Sequence, residues 1–183
     1  MVYAKPFCIV YGTLTEEAET ARLLFQSATY LANANVAAHL TFVPLFSDVE
    51  YVAALAAGQL LQTNVIFIGG AQHNRAIQQQ QRQQEEGVHR SPVLFTEDAG
   101  GFIVDDQFTF PASSFGGSSS SRRSSRSNSR AHVYGAPSAS VLFTLPLRAG
   151  VLGVCLHAPV AADYLHLSRL MWPTIPPMVS ETA

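Results

Sequence analysis

Two glycine-containing turns carry the residues with the strongest chemical prospects. Val10-Tyr11-Gly12-Thr13-Leu14-Thr15-Glu16-Glu17 runs from a strand-like segment through a hydroxyl-bearing loop into a helix start. Free amides and the helix dipole converge at such a point and can hold a phosphate. Ile68-Gly69-Gly70-Ala71-Gln72-His73-Asn74 follows a second apolar run, and open α/β sheets bind ligands beyond the C-terminal ends of such strands. Gly12, Thr13 and Thr15 in the first turn, and Gly69, Gly70, His73 and Asn74 in the second, are therefore the candidate ligand-binding residues. The plainer reading is that Thr15 caps a helix, the paired glycines make a turn and His73 is a solvated first-turn residue. Glu16 and Glu17 favour that reading at the first loop, because two carboxylates repel a phosphate.

No residue set for catalysis emerges. The chain lacks the Gly-x-Ser-x-Gly elbow that exposes a nucleophilic serine, and Gly135-Ala136-Pro137-Ser138-Ala139-Ser140 is missing its second glycine. It also lacks a GxGxxG fingerprint and the Lys-Ser/Thr ending of a P-loop. Cys8 and Cys155 lie far apart within apolar runs, which suits small buried hydrophobes better than thiolate nucleophiles. His39, His73, His89, His132, His157 and His166 show no metal-ligand spacing. The acidic pairs Glu97-Asp98 and Asp105-Asp106 sit between short strands and read as turns. The expectation is a chain without catalytic or metal-binding residues of its own.

The elements that hold these turns follow from periodicity. Phe7 to Tyr11 and Asn64 to Ile68 are short apolar runs of buried parallel strands, and Leu40 to Phe46, with Pro44 inside it, is a weaker edge strand. Apolar residues at Ala21, Leu24, Phe25, Ala28 and Leu31 or Ala32 give a helix after the first strand. Ser47 or Asp48 opens a second helix over Val49 to Leu61, and a third spans Ala71 to about Glu86. Three strand–helix units predict a parallel sheet covered by helices. Beyond Pro92 the rhythm becomes that of a β-meander, with Val93 to Thr96, Gly101 to Val104 and Gln107 to Phe110 as its strands. Val141 to Leu145 and Val151 to His157 pair around Arg148-Ala149-Gly150, and Ala161 to Met171 forms a last helix before Pro173.

These elements assemble into a three-layer α/β domain: a mainly parallel sheet flanked by helices, extended by an antiparallel β-hairpin. Residues 1–112 and 131–175 form that single domain, and 176–183 form a tail. The 183-residue length leaves no room for two full domains. Between the two parts, residues 113–130 hold ten serines and four arginines with almost nothing apolar. Such a segment cannot offset its ordering entropy and reads as a disordered insertion. Its Arg-Ser steps suit either a phosphorylation-controlled docking segment or a passive expansion, like the six glutamines between Ile77 and Glu86.

Net charge is −2, which argues against nucleic-acid or membrane electrostatics as the basis of function. No apolar run approaches the roughly 18 residues of a membrane helix. Charged residues make up only 13%, about half the usual share of a soluble domain, so part of the surface is expected to be covered by a protein partner.

Two resemblances attach to these residues. The Gly12 to Thr15 loop resembles the first loop of flavodoxins, although Glu16 and Glu17 stand where their Gly-Asn pair would be. It implies, as the alternative reading, a stand-alone module binding a flavin or a nucleotide. The order strand-Gly-Thr, Phe67 to Asn74, Val93 to Phe110, Val141 to His157 and Leu167-Ser168-Arg169-Leu170-Met171-Trp172-Pro173-Thr174 looks like the C-terminal α/β region of large secreted hydrolase-like proteins. In those proteins the region accompanies a prolyl-oligopeptidase or esterase type α/β-hydrolase domain. That resemblance implies a non-catalytic accessory domain without a cofactor, packed on a hydrolase domain or another protein surface. It transfers no catalytic residue. It implies secretion if the chain is part of such a protein, whereas the Met1 to Phe7 start, without a signal-peptide run, would suit the cytoplasm.

Overall fold

The computed structural model describes residues 6–85, 91, 93–95, 102–104, 132–134 and 140–171. Its elements in chain order are β1 (Phe7–Tyr11), α1 (Ala18–His39), β2 (Leu45–Ser47), α2 (Asp48–Ala56), β3 (Asn64–Ile68), α3 (Arg75–Glu85), β4 (Val93–Phe95), β5 (Phe102–Val104), β6 (His132–Tyr134), β7 (Val141–Arg148), β8 (Val151–His157) and α4 (Asp163–Met171). One sheet has the order β2-β1-β3-β8-β7, parallel except for the β7–β8 hairpin. A second, antiparallel sheet has the order β4-β5-β6.

The central strands are apolar on both faces because both faces are covered. All five residues of β3 are buried. On one side Ile9, Ile66, Ile68 and Leu156 meet Leu24, Ala28 and Leu31 of α1 and Tyr164 and Leu167 of α4. On the other, Cys8, Val65, Phe67 and Cys155 meet Tyr51 of α2, Ala76 and Ile77 of α3, and Val93, Phe95 and Phe102 of the small sheet. Burying a side chain the size of Ile66 or Phe67 contributes about 1.5–3 kcal/mol, so β3 anchors both layers. The mainly parallel three-layer α/β architecture read from the sequence is the one observed.

Several boundaries differ from the sequence reading. The helix after β1 begins at Ala18 with Glu17 as N-cap, and Thr15 instead accepts a hydrogen bond from the Glu17 N–H at 3.2 Å. The loop before it is held away from helical geometry because Leu14 N–H bonds to His73 O at 3.0 Å. At its other end α1 continues to His39, so residues 40–44 are loop and only Leu45–Ser47 pair with β1. Helix α2 stops at Ala56, short of Leu61, where Gly58 turns the chain with φ +75°. Its start is a capping box: Ser47 Oγ accepts from Glu50 N–H, and the Glu50 carboxylate accepts from Ser47 N–H. Helix α3 begins at Arg75 because residues 71–74 are spent in a turn. Among the described residues, the strand that pairs with β5 on the side away from β4 is His132–Tyr134. Gln107 to Phe110, the 113–130 insertion and the 176–183 tail lie outside the described residues.

Leu40 closes α1 in the left-handed region (φ 52°, ψ 30°), its N–H bonding to Val36 O, with its side chain 87% exposed. That position usually belongs to glycine, and a leucine there costs about 1 kcal/mol or more. Leu40→Gly should therefore raise stability by about 1 kcal/mol, read as a higher urea midpoint at unchanged slope. A lower midpoint would mean that the Leu40 side chain packs on the fold in solution.

Candidate functional site

In the order β2-β1-β3, the chain leaves β1 toward one edge and returns across it to β3. The C-terminal ends of β1 and β3 therefore flank the topological switch point, the place where doubly wound sheets bind ligands. All seven candidate residues fall in the two loops that leave this point: Gly12, Thr13 and Thr15 after β1, and Gly69, Gly70, His73 and Asn74 after β3.

The protein's own backbone bridges this crevice. Gly12 N–H donates to Ile68 O and Leu14 N–H to His73 O, both at 3.0 Å. The loops lie so close that a β-carbon on Gly12 would fall 2.1 Å from His73 O. Asn74, fully buried, donates from Nδ2 to Val10 O (3.4 Å) and Ile68 O (3.3 Å), while its Oδ1 accepts from Ala76 N–H at 3.0 Å. Asn74 is thus the N-cap of α3 and a tie between β1 and β3.

Three residues outside the sequence-derived set complete the cluster. Asp48, fully buried at the start of α2, accepts from the Thr13 hydroxyl at 2.5 Å and from Arg75 N–H at 2.6 Å. One carboxylate thereby joins the β1 loop, α2 and the first turn of α3, where the helix dipole favours a negative charge. On the far side of the β3 loop, Tyr164 OH lies 3.1 Å from His73 Nδ1 and 3.4 Å from His157 Nδ1. His157 is fully buried and ringed by Phe95 (4.9 Å between ring centres) and Phe102 (6.2 Å). Gly70 is required here, since a β-carbon would sit 2.5 Å from His157 Nδ1. The sequence offered one usable signal for these three, the Ser47-Asp48 pair directly after a strand. Nothing local marked His157 or Tyr164.

The electrostatics do not suit an anion. The Thr13 hydroxyl is committed to a carboxylate, and Glu16 and Glu17 lie exposed beside it. Burial, with the charges of Glu50 and Asp48, holds the Tyr11 hydroxyl pKa above its ordinary value. A phosphate at Gly12 to Thr15 would meet negative charge and few uncommitted donors. The thiols are equally unsuited to nucleophilic work: desolvation pushes Cys8 up to about 12 and raises Cys155 further still. Among the described residues no group of three or more His, Cys, Asp and Glu could hold a metal ion, and no helix is long and apolar enough to cross a membrane.

Burial lowers the pKa of His73, and the nearby Glu17 charge opposes that only in part. The unfolded chain, with an ordinary histidine near 6.5, then binds more protons than the folded one below that pH. Stability contributed by neutral His73 is present above about pH 6.5 and is lost as the pH falls through the lowered folded value. The urea midpoint should fall between pH 7.5 and 5, and His73→Gln should fall less over the same interval. An equal fall in both proteins would remove His73 as the cause.

No protein-family model, curated protein sequence or solved structure matches the chain.

Proposed function

We propose that this chain is a non-catalytic accessory α/β domain that associates with a serine-hydrolase-like peptidase or esterase. One observation carries the reading. At the end of the sheet where such folds bind ligands, the polar groups of the candidate site bond to one another: Thr13 to Asp48, Asp48 to Arg75, Asn74 to β1, β3 and α3, and His73 to Tyr164. A site that satisfies its own donors and acceptors rigidifies a scaffold and offers little to a substrate. Low surface charge and large apolar side chains left exposed at several loops also suit a domain that works through protein contacts.

The purified chain should leave p-nitrophenyl esters and peptide substrates at the buffer rate. Turnover abolished by exchanging one of its own serines would overturn the reading.

The strand order keeps one alternative in play, because 2-1-3 is also the order of flavodoxin-like modules that bind flavin at this switch point. Saturable uptake of flavin mononucleotide, weakened by Thr13→Ala, would establish that reading in place of the first.

A further inference from the structure

We infer that His73 is an acid-sensitive latch: neutral, its ring covers the Tyr164 hydroxyl at the C-terminal end of the sheet, and on protonation it swings out toward Glu17 and uncovers that hydroxyl. The balance of donors and acceptors around one oxygen requires it. Tyr164, on α4, has its hydroxyl 3.1 Å from His73 Nδ1 and 3.4 Å from His157 Nδ1. The backbone N–H groups of Ala158 and Gly70 bond to the same oxygen. Four nitrogens thus surround a hydroxyl that has one proton to give and two places at which to accept. The amides can only donate, so they fill the accepting places. Both imidazoles must then turn an unprotonated Nδ1 toward the single hydroxyl proton and carry their own hydrogen on Nε2.

A proton added to either Nδ1 sets a third N–H against that oxygen, which disfavours the charged ring where it stands. His157 has no way out. It is fully buried at the end of β8, Phe95 and Phe102 ring it, and the Gly70 backbone lies against its Nδ1. His73 does have one, since its ring is only partly buried, stands on the loop between β3 and α3, and meets the Tyr164 ring edge-on with 6.2 Å between centres. The backbone need not follow. His73 N–H to Gly70 O and Leu14 N–H to His73 O, both at 3.0 Å, hold the loop whichever way the side chain turns.

Charge outside favours the move. Burial disfavours the imidazolium, whereas the exposed Glu17 carboxylate favours it. Among the described residues, the other ionisable groups on the elements around the ring are Glu16 before α1, Asp48 on α2, Arg75 on α3, and Asp163 and His166 on α4. Asp48 is already committed to the Thr13 hydroxyl and the Arg75 N–H. Tyr11 of β1 and Cys155 of β8 are held above their ordinary values by burial and stay neutral near pH 7. The latched ring therefore binds no proton and the released ring binds one like an ordinary histidine, so acid drives the opening.

Histidine-selective NMR of the intact chain between pH 7.5 and 5 tests this. At pH 7.5 both rings should carry hydrogen on Nε2 and none on Nδ1, with nuclear Overhauser contacts from His73 to Tyr164 and from His157 to Phe95. At pH 5 the first contact should be lost and the second kept. Tyr164→Phe should raise the His73 midpoint by about 0.5–1 in pH, because the hydroxyl's bond favours the neutral ring. Glu17→Gln should lower it, and it changes only an exposed side chain, so it reads the midpoint even where Tyr164→Phe does not fold. A hydrogen on Nδ1 of neutral His73, or a His73 to Tyr164 contact that survives protonation, would overturn the latch. So would loss of both contacts at one pH, which is unfolding of the whole domain, or a His73 midpoint unmoved by either substitution.

Discussion

Gly12→Ala should be the most damaging single-methyl change in this chain, costing about 3–5 kcal/mol. The added carbon would lie 2.1 Å from His73 O, 2.5 Å from the His73 carbonyl carbon and 3.0 Å from Asn74 Cα, all of them backbone atoms that no rotamer change can move. The loop they belong to is pinned by His73 N–H and Asn74 N–H to Gly70 O at 3.0 and 2.9 Å, and by Gly69 N–H to Leu156 O at 3.0 Å. To admit the methyl group, β1 and β3 must part at their C-terminal ends. The Leu14 to His73 bond and the buried ties of Asn74 then weaken together. Against a typical total stability of roughly 5–15 kcal/mol, a loss of that size leaves a protein marginal at 37 °C. Urea unfolding at pH 7.5 reads the difference directly. Gly58→Ala is the control for backbone freedom, because Gly58 has a positive φ, which Gly12 does not, and nothing within 4 Å of the added carbon. It should cost only about 1 kcal/mol. Equal effects at the two positions would mean that the close approach to the His73 backbone does not set the cost at Gly12.

Asp48→Ala comes second, at about 2–3 kcal/mol. The carboxylate is fully buried and accepts from the Thr13 hydroxyl and the Arg75 N–H. Alanine leaves the Arg75 N–H, at the first residue of α3, without its acceptor in a half-buried place, and such a group costs about 1–3 kcal/mol. It also removes a negative charge from the start of two helices, α2 and α3, worth about 0.3–1 kcal/mol each. Thr13 loses less, since its side chain is exposed and water can replace the carboxylate. The double variant Thr13→Val with Asp48→Ala should fall short of the summed single effects by about 0.5 kcal/mol or more, the mark of a shared hydrogen bond. If Asp48→Ala unfolds within 0.5 kcal/mol of the parent protein, the carboxylate does not join these three elements.

Both predictions concern the same few ångströms, which were only half legible in the sequence. β1 and β3 stood out because strands buried on both faces are apolar along nearly all their length, a pattern that needs no knowledge of neighbours. From there the paired turns after β1 and β3 followed, and with them Gly12, Thr13, Thr15, Gly69, Gly70, His73 and Asn74. Local patterning misled where exposure was the deciding factor. Leu40 to Phe46 has a strand's composition, yet its first half is loop, since α1 carries no glycine to stop it early and ends on a left-handed leucine. The pairing of β5 with His132–Tyr134 was not legible either, because about 27 residues separate the two strands and no local pattern joins them.

By itself, then, the sequence determined the layered α/β class and the place where its two central loops meet, because both follow from local burial patterns and turn chemistry. Only the tertiary structure decided what those loops do. Thr13 meets Asp48 across 35 positions and His73 meets Tyr164 across 91, and no local pattern encodes contacts over such separations. They exist because the strand order brings β1, β2 and β3 side by side and α4 back over β8. That same order turns residues suited to binding a ligand into partners for one another, and leaves Leu40 and Phe42 exposed at the other end.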